Sequence, residues 1–292
     1  MRFRKDARLD QSQVEDLRGR RTGGAPLALG GGGIVTLIVV LAIVLLGGNP
    51  LSDGGLGGLS DLAGQTAGTG PPAATLEHCQ TGQDANENED CRILAVVNSV
   101  QTYWESALRG YEPARTRFFD GAVSTGCGSA TSAVGPFYCP ADRYVYIDLG
   151  FFDQLESQFG ASGGPLAQAY VLAHEYGHHV QNLTGVLQRA DNQDLGPQGD
   201  AVRVELQADC YAGAWVANAR RTGLIEEITR RDIQDALSAA TAIGDDRIQE
   251  QTQGQVTPET WTHGSSEQRQ SWFVRGTEGG SPRSCDTFSG RV

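Results

Sequence analysis

The sequence is poor in positive charge. Its 292 residues contain 23 Lys and Arg against 35 Asp and Glu, a formal net charge of −12. Seven of the basic residues and four of the acidic ones fall in the first 26 positions, so the rest of the chain is more acidic still. Because nucleic-acid binding depends on neutralising phosphates with Lys and Arg, this balance argues against nucleic acid as a partner.

The sequence also lacks any Cys-x-x-Cys pair, which weakens a zinc-ribbon interpretation. An even number of cysteines, all beyond residue 78, is typical of disulfides formed in an oxidising compartment and argues against a catalytic thiol. Proximity in the sequence favours two short pairings and leaves the last two cysteines for each other. The expected disulfides are Cys79–Cys91, Cys127–Cys139 and Cys210–Cys285.

Charge is absent from Pro26 to Gly48, and residues 34–46 are apolar apart from Thr36. With the residues before it, this run reaches the ~20 needed to span hydrocarbon. A cleavable signal peptide is the alternative, but the run continues into Gly-Gly-Asn-Pro without an Ala-x-Ala pattern. The sequence therefore favours a single-pass membrane protein anchored by residues 27–48. The Arg-rich residues 1–26 are expected in the cytoplasm and the remainder outside it.

Residues 49–76 are rich in Gly, Ser, Pro and Ala and predict a flexible linker. Residues 77–292 then form one domain, with a strand expected within 137–149. That strand is either buried or presents a free edge to an extended peptide. Apolar spacing predicts helices at 91–108, 165–185, 200–220 (capped by Asp200), 225–243 and 265–274. The expected fold class is α+β, mainly helical with a small sheet, preceded by one transmembrane helix.

Three of the five histidines fall within six residues, and His174-Glu175-Tyr176-Gly177-His178 is an H-E-x-x-H motif. Two histidines at i and i+4 on a helix point the same way, so both imidazoles can reach one tetrahedral zinc. The glutamate between them can reach a water at the metal. The alternative is a helix whose histidines are solvated or hydrogen-bonded without a metal.

A catalytic zinc site takes three protein ligands and keeps one open position. The metzincin pattern would place a third histidine where Thr184 stands, so that class is excluded. Downstream, Glu205 and Asp209 lie one turn apart on one face of a predicted helix. Glu205 is the favoured ligand, and Asp209 the group that accepts the free N–H of a ligating histidine. Asp209 as the ligand, or an ordinary solvated acidic face, stays open.

With zinc bound, Glu175 can take the proton of the attacking water and return it to the leaving amine. His263, with Arg269 nearby in the sequence, is the candidate donor to the carbonyl oxygen, the alternative being a surface histidine before a helix. His179 lies about 100° round the helix from His178 and is expected to face away. His78, next to the linker, is expected to be solvated.

These residues resemble the bacterial putative neutral zinc metallopeptidase family, the YpfJ-like membrane-anchored proteins. The resemblance covers most of the chain outside the anchor and linker. It implies a zincin-like fold of the gluzincin kind, with His174, His178 and Glu205 as ligands of one catalytic Zn²⁺ and Glu175 as the catalytic residue. The matching segments are Met1–Phe3, Val14–Asp16, Arg18–Gly19, Tyr138–Pro140, His174–Gln181, Glu205–Gly213, His263–Arg269 and Cys285–Phe288.

Two functions of different classes remain. The first is a membrane-anchored zinc metallopeptidase that hydrolyses a protein or peptide substrate, and a hydrolase of peptide cross-links in the cell envelope is the same chemistry on another substrate. The second is a membrane-tethered binding or assembly protein that keeps zinc for stability without turnover. Glu175 favours catalysis, because a structural zinc site fills all four positions and has no use for a general base.

Overall fold

The computed structural model describes residues 1–19 and 76–292. The helices are α1 (Gly82–Glu87), α2 (Glu89–Ala107), α3 (Gly150–Ser157), α4 (Pro165–Leu183), α5 (Val186–Arg189), α6 (Asp200–Asn218), α7 (Arg230–Ala242), α8 (Asp245–Gln253) and α9 (Ser266–Gly279). The strands are β1 (Arg2–Phe3), β2 (Val14–Asp16), β3 (Arg115–Phe118), β4 (Ala122–Thr125), β5 (Gly128–Thr131), β6 (Phe137–Cys139), β7 (Tyr144–Ile147) and β8 (Ile225–Glu227). The fold is α+β and mainly helical, as predicted.

Four strands form the largest sheet, in the order β2-β3-β7-β6. Strands β2, β3 and β7 run parallel, and β6 pairs antiparallel with β7. The run Val145-Tyr146-Ile147 is fully buried, as expected of an interior strand with neighbours on both sides. Of the two alternatives for this strand, the buried one is therefore confirmed, because β3 and β6 occupy both of its edges.

Helix α4, which carries the H-E-x-x-H motif, packs against α2, α6 and α7. Helix α6 in turn lies along α9, and the two approach closely through glycines. A methyl group built on Gly213 would overlap the Phe273 carbonyl, and one on Gly276 would overlap the Cys210 carbonyl. Helix α6 is thereby held between α4 and α9, with its middle turns in the core.

Residues 1–19 belong to the same folded body as residues 76–292. Strand β1 pairs with β8 and β2 with β3, while the side chain of Asn86 hydrogen-bonds both backbone polar groups of the buried Phe3. Arg18 pairs with Asp16 and with Asp90 on α2. Residues 1–19 therefore pack on the domain that residues 76–292 form. Their expected location in the cytoplasm stays a prediction.

Within residues 1–19 and 76–292, no helix combines the length and apolar character that a membrane crossing requires. The predicted anchor, residues 27–48, lies outside the described residues, as does the predicted linker up to residue 75. The membrane attachment stays a prediction.

The predicted helices differ from the observed ones mainly at their ends. The helix expected to begin at Ile225 begins at Arg230, because Ile225–Glu227 pairs with β1 and Thr229 forms a capping box with Asp232. Gly199, rather than Asp200, takes the cap position of α6. The three disulfides Cys79–Cys91, Cys127–Cys139 and Cys210–Cys285 are present, which confirms the expected pairing.

Candidate metal centre

His174 and His178 stand one turn apart on α4 and converge on Glu205 of α6. Their Nε2 atoms are 3.1 Å apart, and they lie 3.2 Å and 3.5 Å from the two carboxylate oxygens of Glu205. All three side chains are buried. Gly177 lies where the helices touch, since a Cβ there would be 3.0 Å from the Ala208 Cα. The missing side chain lets α6 come close enough for Glu205 to reach both rings.

The hydrogen bonds on the far side of each ring fix its tautomer. His174 Nδ1 lies 2.8 Å from Asp209 Oδ1, and His178 Nδ1 lies 2.8 Å from Gln181 Oε1. Because carboxylate and amide oxygens only accept, both Nδ1 atoms carry the hydrogen, and in the neutral rings both Nε2 lone pairs face each other. Tetrahedral donors with zinc bonds of about 2.0–2.1 Å lie about 3.3 Å apart. The donor set and its spacing therefore fit a zinc ion.

The charges of these three side chains point the same way. Burial lowers the pKa of His174, but Asp209 and Glu205 outweigh it and raise that pKa to about 10. Burial lowers the pKa of His178 to about 4. Burial alone would raise the pKa of Glu205, but the neighbouring histidines lower it well below its usual range. The raised pKa places a positive charge on His174, between the His178 ring and the Glu205 carboxylate. The same position suits a bound cation.

Asp209 is held on the far side of His174 by a buried network. Its Oδ2 accepts from Arg269 Nε at 2.8 Å, and its Oδ1 accepts from Arg269 Nη2 at 3.0 Å and from the Tyr170 hydroxyl. Burial raises the pKa of Asp209, but Arg269 and His174 outweigh it and keep the carboxylate ionised. Asp209 is therefore placed to orient His174 rather than to join Glu205 as a ligand. Arg269 is committed to this carboxylate.

His178 is oriented by a chain of amides that the sequence did not reveal. Gln181 donates from Nε2 to Gln207 Oε1 at 3.1 Å, and Gln207 donates to the Cys285 carbonyl at 2.9 Å. Cys285 is the partner of Cys210 in the disulfide that ties the C-terminal segment to α6. The only signal in the sequence is that both glutamines fall on the inner faces of their helices.

Glu175 lies beside the donor set with one of its oxygens unused. Its Oε2 atom is buried and has no hydrogen-bond partner among residues 1–19 and 76–292. Burial raises the pKa of Glu175 to about 8. The side chain lines a cavity that is also lined by His174, Glu205, His263 and Arg269. The two residues predicted to be catalytic, Glu175 and His263, therefore share one cavity.

His263 is buried in the loop before α9, so it is not a surface histidine. Asp245, at the start of α8, accepts the backbone N–H groups of Thr262, His263 and Gly264, and its Oδ1 lies 3.3 Å from His263 Nδ1. Burial lowers the pKa of His263, but Asp245 and Glu205 outweigh it and raise that pKa. Asp245 thus fixes both the loop and the ring, a role that only the folded chain reveals.

The two remaining histidines lie away from the metal centre, as predicted. The ring of His179 lies between the Tyr138 hydroxyl, 3.0 Å from Nδ1, and the Glu112 carbonyl, 2.6 Å from Nε2. His78 is half exposed and lies beside Asp90. Neither ring can reach Glu205 from these positions.

Comparison with known proteins identifies a family and several relatives. The family described as "Putative neutral zinc metallopeptidase" matches residues 1–288. The uncharacterized protein YpfJ of Escherichia coli is 40% identical over 302 residues, which covers 98% of this chain and 99% of YpfJ. The uncharacterized protein Rv2575 of Mycobacterium tuberculosis is 55% identical over 225 residues, 75% of this chain and 77% of that protein. No solved structure matches. The chain belongs to the putative neutral zinc metallopeptidase family.

Proposed function

We propose that this chain is a zinc metallopeptidase of the gluzincin kind, in which His174, His178 and Glu205 hold one Zn²⁺ and Glu175 is the general base. The observation that carries the proposal is the buried Oε2 of Glu175, which lacks a partner among the described residues and lies beside three converging donors. A buried polar atom without a hydrogen bond is costly, and such atoms are retained at functional sites.

A zinc ion held by His174, His178 and Glu205 would supply a nucleophilic water at neutral pH and polarise a carbonyl group. Glu175 would accept the proton of the attacking water and deliver it to the leaving nitrogen as the peptide bond breaks.

His263 is proposed to stabilise the negative charge that develops on the carbonyl oxygen. Asp245 faces its Nδ1, which leaves Nε2 as the donor, and the raised pKa favours the protonated ring. Arg269 does not share this task, because Asp209 occupies its guanidinium. One donor of this kind contributes about 10²–10³-fold in kcat.

We also propose that the domain works outside the cytoplasm, attached to a membrane through residues 27–48. Three disulfides within residues 76–292 support this, since such bonds persist in oxidising compartments. Residues 1–19 then share that compartment, because they pack on the domain.

The test uses the full chain in detergent, loaded with zinc and incubated with a peptide library. The Glu175→Gln variant should keep one zinc per chain and lose cleavage, whereas Glu278→Gln, an exposed change on α9, should leave both unchanged. His174→Ala should lose the zinc. Equal cleavage by the wild type and Glu175→Gln rules out the proposed mechanism. Tightly held zinc without cleavage by any variant supports the non-catalytic binding or assembly function.

A further inference from the structure

The cavity beside Glu175 extends well past the groups that the reaction uses. Its other walls come from four separate parts of the chain: the loop before β6, the region of α3, helix α4, and the α7–α8 turn. The side chains that they contribute are almost all apolar and buried. They include Val134, Phe151, Phe159, Val171, Ile243 and Ile248.

We infer that this apolar cavity is the subsite that selects the substrate, and that it takes one uncharged, apolar side chain next to the scissile bond. The inference rests on the proposed peptidase function and adds the class of substrate residue to it. Val171 lies one turn before Glu175 on the same face of α4. A substrate side chain that fills the cavity therefore belongs to a residue next to the scissile bond, which lies at Glu175.

The charges around the cavity support an uncharged occupant. Arg269 lines the cavity, but both Asp209 oxygens and the Ile243 carbonyl occupy its donors. The histidines and carboxylates on the wall are His174, Glu175, Glu205 and His263, which belong to the reaction itself. The Tyr170 hydroxyl, which also lines the cavity, donates to Asp209. An ionised substrate side chain would lose its hydration there without gaining a free partner.

The apolar lining also makes water a poor occupant. A water molecule is held in a protein by two to four polar partners, whereas cavities lined by aliphatic and aromatic groups stay dry and bind apolar molecules. A Leu or Phe side chain is large and apolar enough to cover this lining. An Ala side chain leaves most of it uncovered.

The first experiment maps the bonds that the zinc-loaded full chain cleaves in a library with every residue type at each position. We expect Leu and Phe on one side of the cleaved bond to be preferred over Asp and Lys by at least about tenfold in kcat/KM. Cleavage with no such preference overturns the inference while leaving the proposed function intact. A preference for acidic residues also overturns it and assigns selection to Arg269.

Two variants test the cavity itself. Val171→Phe fills it and should lower kcat/KM for Leu and Phe peptides at least tenfold more than for Ala peptides. Ile248→Ala enlarges it and should move the preference towards larger aromatic side chains. Val256→Ala, an exposed change outside the cavity, is the matched control and should leave the preference as it is.

A binding measurement covers the case in which no peptide is cleaved. Toluene is titrated into the zinc-loaded Glu175→Gln chain, with and without Val171→Phe, and followed by NMR. Saturable binding that Val171→Phe abolishes supports an apolar subsite even if the proposed hydrolysis fails. Absence of binding, or binding that Val171→Phe and Ile248→Ala both leave unchanged, overturns the inference.

Discussion

Among single side chains, Asp209 tests how the metal centre is held. Asp209→Asn keeps the size of the side chain but removes the charge that faces His174 Nδ1 and Arg269. Loss of such an orienting carboxylate weakens metal binding by about 10–100-fold. Competition with a chromophoric chelator measures the zinc Kd, and Glu267→Gln on α9, which is exposed, is the control. A Kd equal to that of the wild type would show that Asp209 does not support the ligand.

The site residues that the sequence could predict are those in fixed local spacing. His174, Glu175 and His178 follow from one helical turn, and Glu205 with Asp209 from one turn of another helix. Gln207 and Asp245 could not be found in this way. An amide or a carboxylate takes its role from the group that the fold brings opposite it, and here those groups are Gln181 on another helix and a loop 18 residues away.

Between helices, Gly177 sets the distance that the metal centre requires. In Gly177→Ala the added methyl group meets Ala208, whose backbone cannot move aside without shifting α6. Overpacking of this kind costs about 1–3 kcal/mol of stability. The shift also moves Glu205, one turn away, so the zinc Kd should rise. The double variant Gly177→Ala/Ala208→Gly should restore the Kd only in part, because it removes the contact with the Ala208 Cβ but leaves those with the Ala208 Cα and carbonyl oxygen. A Kd unaffected by the single change would contradict this account.

Helix α2 is joined to the N-terminal segment by Asp90, which pairs with Arg18. Burial raises the pKa of Asp90, but Arg18 and His78 outweigh it and lower that pKa. A lowered carboxylate pKa stabilises the fold above the unfolded value of about 3.9, and this stabilisation is lost as the pH falls through the folded value. Asp90→Asn should therefore cost about 1 kcal/mol at pH 7 and progressively less below pH 4. Urea unfolding at pH 7 and at a pH below 4 measures the free energy of unfolding of both chains. The exposed Glu105→Gln on α2 is the control.

The secondary structure was predictable where a segment carries its own signals. Helix α4 begins at Pro165 and keeps an apolar stripe for its whole length, so its bounds follow from the sequence. The segment Ile225–Glu227 looks like the start of a helix but forms strand β8. Its partner is Arg2–Phe3, more than 200 residues away, and no local pattern contains that pairing.

For the chain as a whole, the docking of residues 1–19 is the feature that the sequence least suggests. A basic flank before an apolar run predicts a cytoplasmic segment, and only the fold shows Phe3 buried under β8 and Asn86. Phe3→Ala should then lower the stability of the full chain by about 3–5 kcal/mol, as for other buried aromatic residues. Thermal unfolding of the full-length protein in detergent measures it, with the exposed Lys5→Ala as the control. An unchanged melting temperature of the domain in Phe3→Ala would contradict this prediction. That result is expected if residues 1–19 lie across a membrane from the domain.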